Sequence, residues 1–195
     1  MLNYPLDLSF KIATIGTRVR VTDAVGRQVA YLRKKKFRLK EDVRVYEDED
    51  QKRPRFRIRA DRVVDFGASY AVSGPDGRPL GAVRQRGVRS LWKSSYEVSD
   101  PRGKTIGVIR EENPLVKVLD GLAEALPFAD ALGGLFFNPA YLVDLGGETV
   151  LRMQKERSLF ESRFRLDRLG DISEREEELL LASLMMVLIL ERDRG

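Results

Sequence analysis

The 195-residue chain contains no cysteine, no histidine and a single tryptophan. The absence of cysteine excludes disulfides and thiol chemistry. The absence of histidine removes Ser-His-Asp triads, Cys-His dyads and Cys/His zinc sites, so any bound metal would be a hard ion held by oxygen. There is no phosphate-cradling glycine loop, dinucleotide fingerprint or paired nucleophile and base. The opening MLNYPLDLSFKIATIG lacks the basic stretch and apolar run of a signal peptide, so a cytoplasmic location is expected. Also missing is an apolar run of bilayer length. Leu179–Leu190 (LLLASLMMVLIL) covers only about 18 Å as a helix, whereas a bilayer core needs about 20 residues, so the chain is expected not to span a membrane.

That run is apolar on every side, and a helix of this kind must be buried all round. Its start is marked by Ser173 and Glu176, an S-x-x-E capping box, and Glu174 to Glu178 complement the positive helix terminus. The acidic residues have no EF-hand spacing, so no calcium site is expected from them.

Most of the remaining chain reads as β-structure. YAVSGPDGRPLGAVRQRG from Tyr70 and YEVSDPRGKTIGVIREEN from Tyr96 match at an offset of 26 residues. Weaker copies place Val19 and Val21 before Gly26, Val43 and Val45 before EDEDQKRP, and Tyr141 and Val143 before Gly147. Each unit is an alternating strand, a turn of Asp, Pro and Gly, and a second strand. The last glycine of GPDG, DPRG and DAVG suits a left-handed position leading into a bulged hairpin. Five hairpins, a strand in LSFKIAT and another at Phe164–Leu166 give about twelve antiparallel strands. Closure removes their edges, and a barrel of that width needs a plug. The expected fold is therefore mostly β: a closed antiparallel barrel of about twelve strands around an apolar C-terminal helix. The expected organisation is one domain over residues 1–195, with strand repeats at 8–112 and 141–169, a helical insertion at 113–140 and a central helix at 173–192.

In the insertion, Asn113 reads as a helix cap and Pro114 as a first helical residue, followed by leucines at helical spacing. Leu135, Phe136 and Phe137 then form an apolar contact candidate for a membrane or a protein partner. Charge is uneven. Residues 11–62 hold 17 Lys and Arg against 8 Asp and Glu, a field that favours phosphate-bearing partners. In RFRIRA, alternation puts Arg55, Arg57 and Arg59 on one strand face. With Lys34, Lys35, Lys36 and Arg62 they form the main anion-binding candidates, provided their strands are neighbours. Arg84, Arg86, Arg89 and Lys93 form a weaker patch. Aromatics are too sparse among these residues to argue for nucleic acid.

The hairpin repeats with D-x-x-G turns and one apolar terminal helix resemble the LURP-one-related group of the tubby-like, phospholipid-scramblase-like superfamily. FKIATIGTRVRVTDAVGRQVAYLRKKKFRLKEDVRVYEDED, ADRVVDFGASYAVS, GVRSLWKSSYEV, IREENPLVKVLDGL, FFNPAYLVD and SLMMVLILERDRG are similar to a bacterial branch of it. The resemblance implies a twelve-stranded barrel enclosing the helix. Tubby members bind phosphoinositide head groups through basic barrel residues, scramblase members are linked to calcium-dependent lipid movement, and plant members to defence. The scramblase-like aspartate segment before the last helix is replaced here by RLDRLGDISE, and there is no cysteine to palmitoylate. Calcium dependence and an anchored scramblase role are therefore not carried over. The expectation is a non-enzymatic module without cofactor. It would recognise anionic lipid head groups, or another phosphorylated ligand, at the inner membrane surface. The alternative is a protein-interaction scaffold using 114–140.

Overall fold

The computed structural model describes residues 1–13, 16–34, 42–62, 69–86, 95–112, 140–156, 158 and 161–192. Twelve strands follow in order: β1 (Leu6–Ala13), β2 (Gly16–Thr22), β3 (Gln28–Lys34), β4 (Val43–Tyr46), β5 (Pro54–Arg62), β6 (Ser69–Ser73), β7 (Pro79–Gln85), β8 (Ser95–Ser99), β9 (Thr105–Glu111), β10 (Ala140–Leu145), β11 (Glu148–Glu156) and β12 (Ser162–Arg168). Each pairs antiparallel with its sequence neighbours, and β1 pairs with β12, so the sheet closes. Helix α1 (Glu174–Arg192) follows. The closed barrel and its terminal helix are those expected from the repeats and the apolar run.

Alternation explains the barrel wall. Leu6, Leu8, Val19, Val21, Val43, Val45, Phe56 and Ile58 point inward and are almost fully buried. The intervening polar residues face out. Phe10 and Phe164 meet edge to face across the β1–β12 seam, with ring centroids 5.9 Å apart. Every residue from Leu179 to Leu190 is buried, so the apolar run is solvated by the wall. Ser183, the one polar residue in the run, donates to the Leu179 carbonyl at 2.8 Å. The capping box forms as expected: Ser173 N–H and Oγ both donate to Glu176 Oε2, at 2.8 and 2.6 Å.

The turns hold the expected glycines in left-handed backbone, with φ of 77° at Gly26, 81° at Gly77 and 82° at Gly103. Each hairpin then carries one extra residue in its second strand: Val29, Arg55, Leu80, Ile106 and Val150. Such bulges add local twist and are common at barrel rims. All five hairpin turns lie at one end of the barrel, where α1 begins, and residues 1–5 cross this turn end. Leu2 N–H donates to the buried Glu177 at 3.0 Å, and the Asn3 carbonyl accepts from Ala24 N–H at 2.9 Å. Burial, and then the Glu177 carboxylate, push the Tyr4 hydroxyl well above the usual phenol range.

Candidate functional site

The outer face of β2 to β5 brings arginines into one row, in register with Lys11 of β1. Register places Lys11 opposite Arg18, Arg18 opposite Arg33, and Arg44 opposite Arg57. Between them, Tyr31 of β3 pairs with Tyr46 of β4, and two residues further along these strands stand Arg33 and Arg44. The row therefore runs across five consecutive strands, with Arg59 beside it on β5. Like charges directly opposite destabilise a sheet by about 0.2–1 kcal/mol per pair. The fold carries that cost here repeatedly.

Local counterions are few. Arg57 is gripped by Asp42, with Nε 2.8 Å from both carboxylate oxygens and Nη2 closing the fork. That hydrogen bonding, with the nearby charges of Arg57, Arg44 and Arg59, holds the Asp42 carboxyl below its ordinary range. Arg18, Arg33, Arg44 and Arg59 are exposed and have no hydrogen-bonded or ion-paired partner among the described residues. The acidic run 47–50 turns elsewhere. Glu47 and Asp48 pair with Arg53, Glu49 with Arg20 and Asp50 with Lys52.

Of the residues singled out from the sequence, Arg57 and Arg59 belong to this row. Arg55 does not belong to it. It is the bulge residue of β5, and its Nη1 donates at 2.9 Å to the Val29 carbonyl. β4 ends before it can pair with that part of β3, so Arg55 replaces a missing ladder bond. Strands β3 and β5 are not neighbours, because β4 lies between them and supplies Arg44. Lys34 and Arg62 end β3 and β5, and their side chains lie outside the described residues, as do Lys35 and Lys36.

In the second patch, Arg84 Nη2 and Arg86 Nε each donate to Glu97 at 2.7 Å. The bonds from Arg84 and then Arg86 hold the Glu97 carboxyl below its ordinary range. Glu97 thus ties up both cations, while Arg89 and Lys93 lie outside the described residues. So do Leu135, Phe136 and Phe137, with the rest of 113–139.

Sequence reading missed Arg18, Arg33 and Arg44. TRVRVT and DVRVY carry the same arginine alternation as RFRIRA, but the sequence does not say which strands align. Among the described residues, no helix is long and apolar enough to cross a membrane. In the same set, no three Asp or Glu are grouped to hold a metal ion. Residues 28–167 match the family model described as LURP-one-related. No curated protein and no solved structure matches the chain.

Proposed function

The chain belongs to the LURP-one-related family, and on that premise we propose that it is a non-enzymatic binding module that attaches reversibly to anionic lipid head groups at a membrane surface. The observation that supports this reading is the row of arginines across β2 to β5, with Lys11 of β1 in register beside it. Guanidinium groups match phosphate oxygens in a two-pronged geometry. Near an anionic leaflet each Lys or Arg contributes about 1 kcal/mol, so the four arginines without a partner among the described residues would give about 4 kcal/mol. That is a weak, reversible attachment, sensitive to salt. A binding rather than a catalytic role is supported by the barrel axis, which α1 fills with apolar side chains.

Co-sedimentation with phosphatidylglycerol-containing vesicles tests the proposal. Binding is expected at low salt, lost at high salt, and lost at low salt in Arg18→Glu/Arg33→Glu/Arg44→Glu. These three side chains are exposed and unpaired among the described residues, so the variant should fold. Binding by the variant equal to that of the wild type, or no wild-type binding at low salt, would sink the reading. Arg55 is left out of the variant because its loss would disturb the wall itself.

A further inference from the structure

On the reading of the arginine row as a phosphate-binding face, we propose that it takes a chain of linked phosphates, as in inorganic polyphosphate, laid end to end around the barrel in preference to single phosphate groups.

The row is not what an arginine-rich wall produces by default. From β7 to β12, Arg84, Arg110, Arg152, Arg163 and Arg165 each stand 2.6–3.0 Å from a carboxylate oxygen. From β2 to β5, the same kind of wall leaves Arg18, Arg33, Arg44 and Arg59 without a partner among the described residues. Stability alone favours carboxylates between them, because like charges opposite one another weaken a sheet.

The row is also a line one cation wide. Arg18 stands opposite Arg33, and Arg44 opposite Arg57. Arg33 and Arg44 are level, each two residues from the Tyr31–Tyr46 pair. Strands lie about 4.8 Å apart, so the four arginines follow one another at that interval over about 14 Å. Towards the turn end the next outward places offer no free cation among the described residues. Arg20 is paired with Glu49, and Tyr31 and Tyr46 occupy the places on β3 and β4. Asp42 lies on the other side of Arg44 and grips Arg57, which marks one end of the line.

Curvature then favours a chain. The closed wall has twelve strands, and β2 to β5 cover three of its twelve steps, about a quarter of the way round. The two ends of the line therefore face directions about a quarter turn apart. A flexible chain follows that curve and keeps a phosphate at each arginine, where the guanidinium fork matches the phosphate oxygens. Once one phosphate is bound, the next is held beside the next arginine, so affinity multiplies along the chain without any new kind of contact. Single phosphates gain nothing from one another. Nucleic acid, another phosphate chain, draws on stacking surfaces for its bases. Tyr31, the aromatic beside Arg33, is only 4% exposed.

Calorimetric titration of the full chain at low salt, with orthophosphate, tripolyphosphate and long inorganic polyphosphate, tests this. At equal phosphate concentration the long chain should bind at least about tenfold more tightly than tripolyphosphate, and orthophosphate should give no measurable heat. Arg18→Glu/Arg33→Glu/Arg44→Glu should lose the binding. Arg78→Glu/Arg102→Glu/Lys104→Glu, an equal change of charge in exposed turns away from the line, should keep most of it. Arg33→Gln/Arg44→Gln serves if the first variant melts early. Equal affinity per phosphate for tripolyphosphate and the long chain, equal loss in the two triple variants, or equal binding of a single-stranded RNA of matching length would each overturn the proposal. Vesicle binding without polyphosphate binding overturns it and leaves the lipid reading standing. Polyphosphate binding without vesicle binding supports it and sinks the lipid reading.

Discussion

Arg57 and Arg44 stand opposite each other on the outer wall, yet among the described residues only Arg57 has a carboxylate in its fork. Asp42 therefore acts as the local brake on the arginine row. Its carboxyl is held below the ordinary range by the bond from Arg57, so its stabilising effect is complete above the unfolded value near pH 3.9. That effect is lost as pH falls through the lower, folded value. Both partners are substantially exposed, so the pair contributes little to stability. Its larger consequence is on charge. Asp42→Asn should release Arg57 and tighten binding to anionic vesicles several-fold, by about 1 kcal/mol, with a shift in melting temperature of a few degrees at most. Vesicle titration of the variant beside the wild type checks this, and weaker binding would contradict it. The residue scale also separates arginines that look identical in RFRIRA. A bulge turns Arg55 to a backbone carbonyl, while Arg59 stays free among the described residues.

At the scale of elements, the hairpin with a left-handed glycine and a bulge is the repeated part. Its two kinds of glycine do different work. Gly77 lies in a turn with open space around it, so Gly77→Ala costs only the left-handed backbone, about 1–2 kcal/mol. Gly81 lies where the β7 wall meets both the Ser99 carbonyl and Leu179, and its φ of 154° is also unfavourable for a side chain. Gly81→Ala should therefore cost more, about 3 kcal/mol or above, because strain adds to overpacking in the wall. Denaturant unfolding of the two variants ranks them, and equal midpoints would contradict the account. Gly107, in the equivalent place one repeat later, crowds the Asp144 carbonyl in the same way. The offset of 26 residues visible in the sequence thus marks a packing requirement as well as a turn.

For the whole molecule, the wall and the helix each solvate the other's apolar surface. Twelve strands enclose more volume than their own side chains fill, and α1 occupies it. Leu184, fully buried at the middle of the run, tests this dependence. Leu184→Asp puts an unpaired charge on the axis, at a cost that competes with the 5–15 kcal/mol of a whole domain. The expected outcome is loss of cooperative thermal unfolding with exposed apolar surface, read by calorimetry and dye binding. A cooperative transition close to that of the wild type would contradict the plug. Much of this architecture was legible beforehand. Period-two alternation, the D-x-x-G turns, the Ser173–Glu176 cap and the uniform apolarity of Leu179–Leu190 are all local signals, set by backbone sterics and by the need to hide apolar surface. These determined the strands, their number, the helix and its burial. The arginine row was not legible, because Lys11, Arg18, Arg33, Arg44 and Arg57 stand on different strands. Which of them lie level depends on register, and register follows from the bulges and from closure of the sheet. Local chemistry wrote the elements, whereas the placing of charges from distant segments side by side was decided by tertiary pairing, since no local interaction fixes one strand's height against another's.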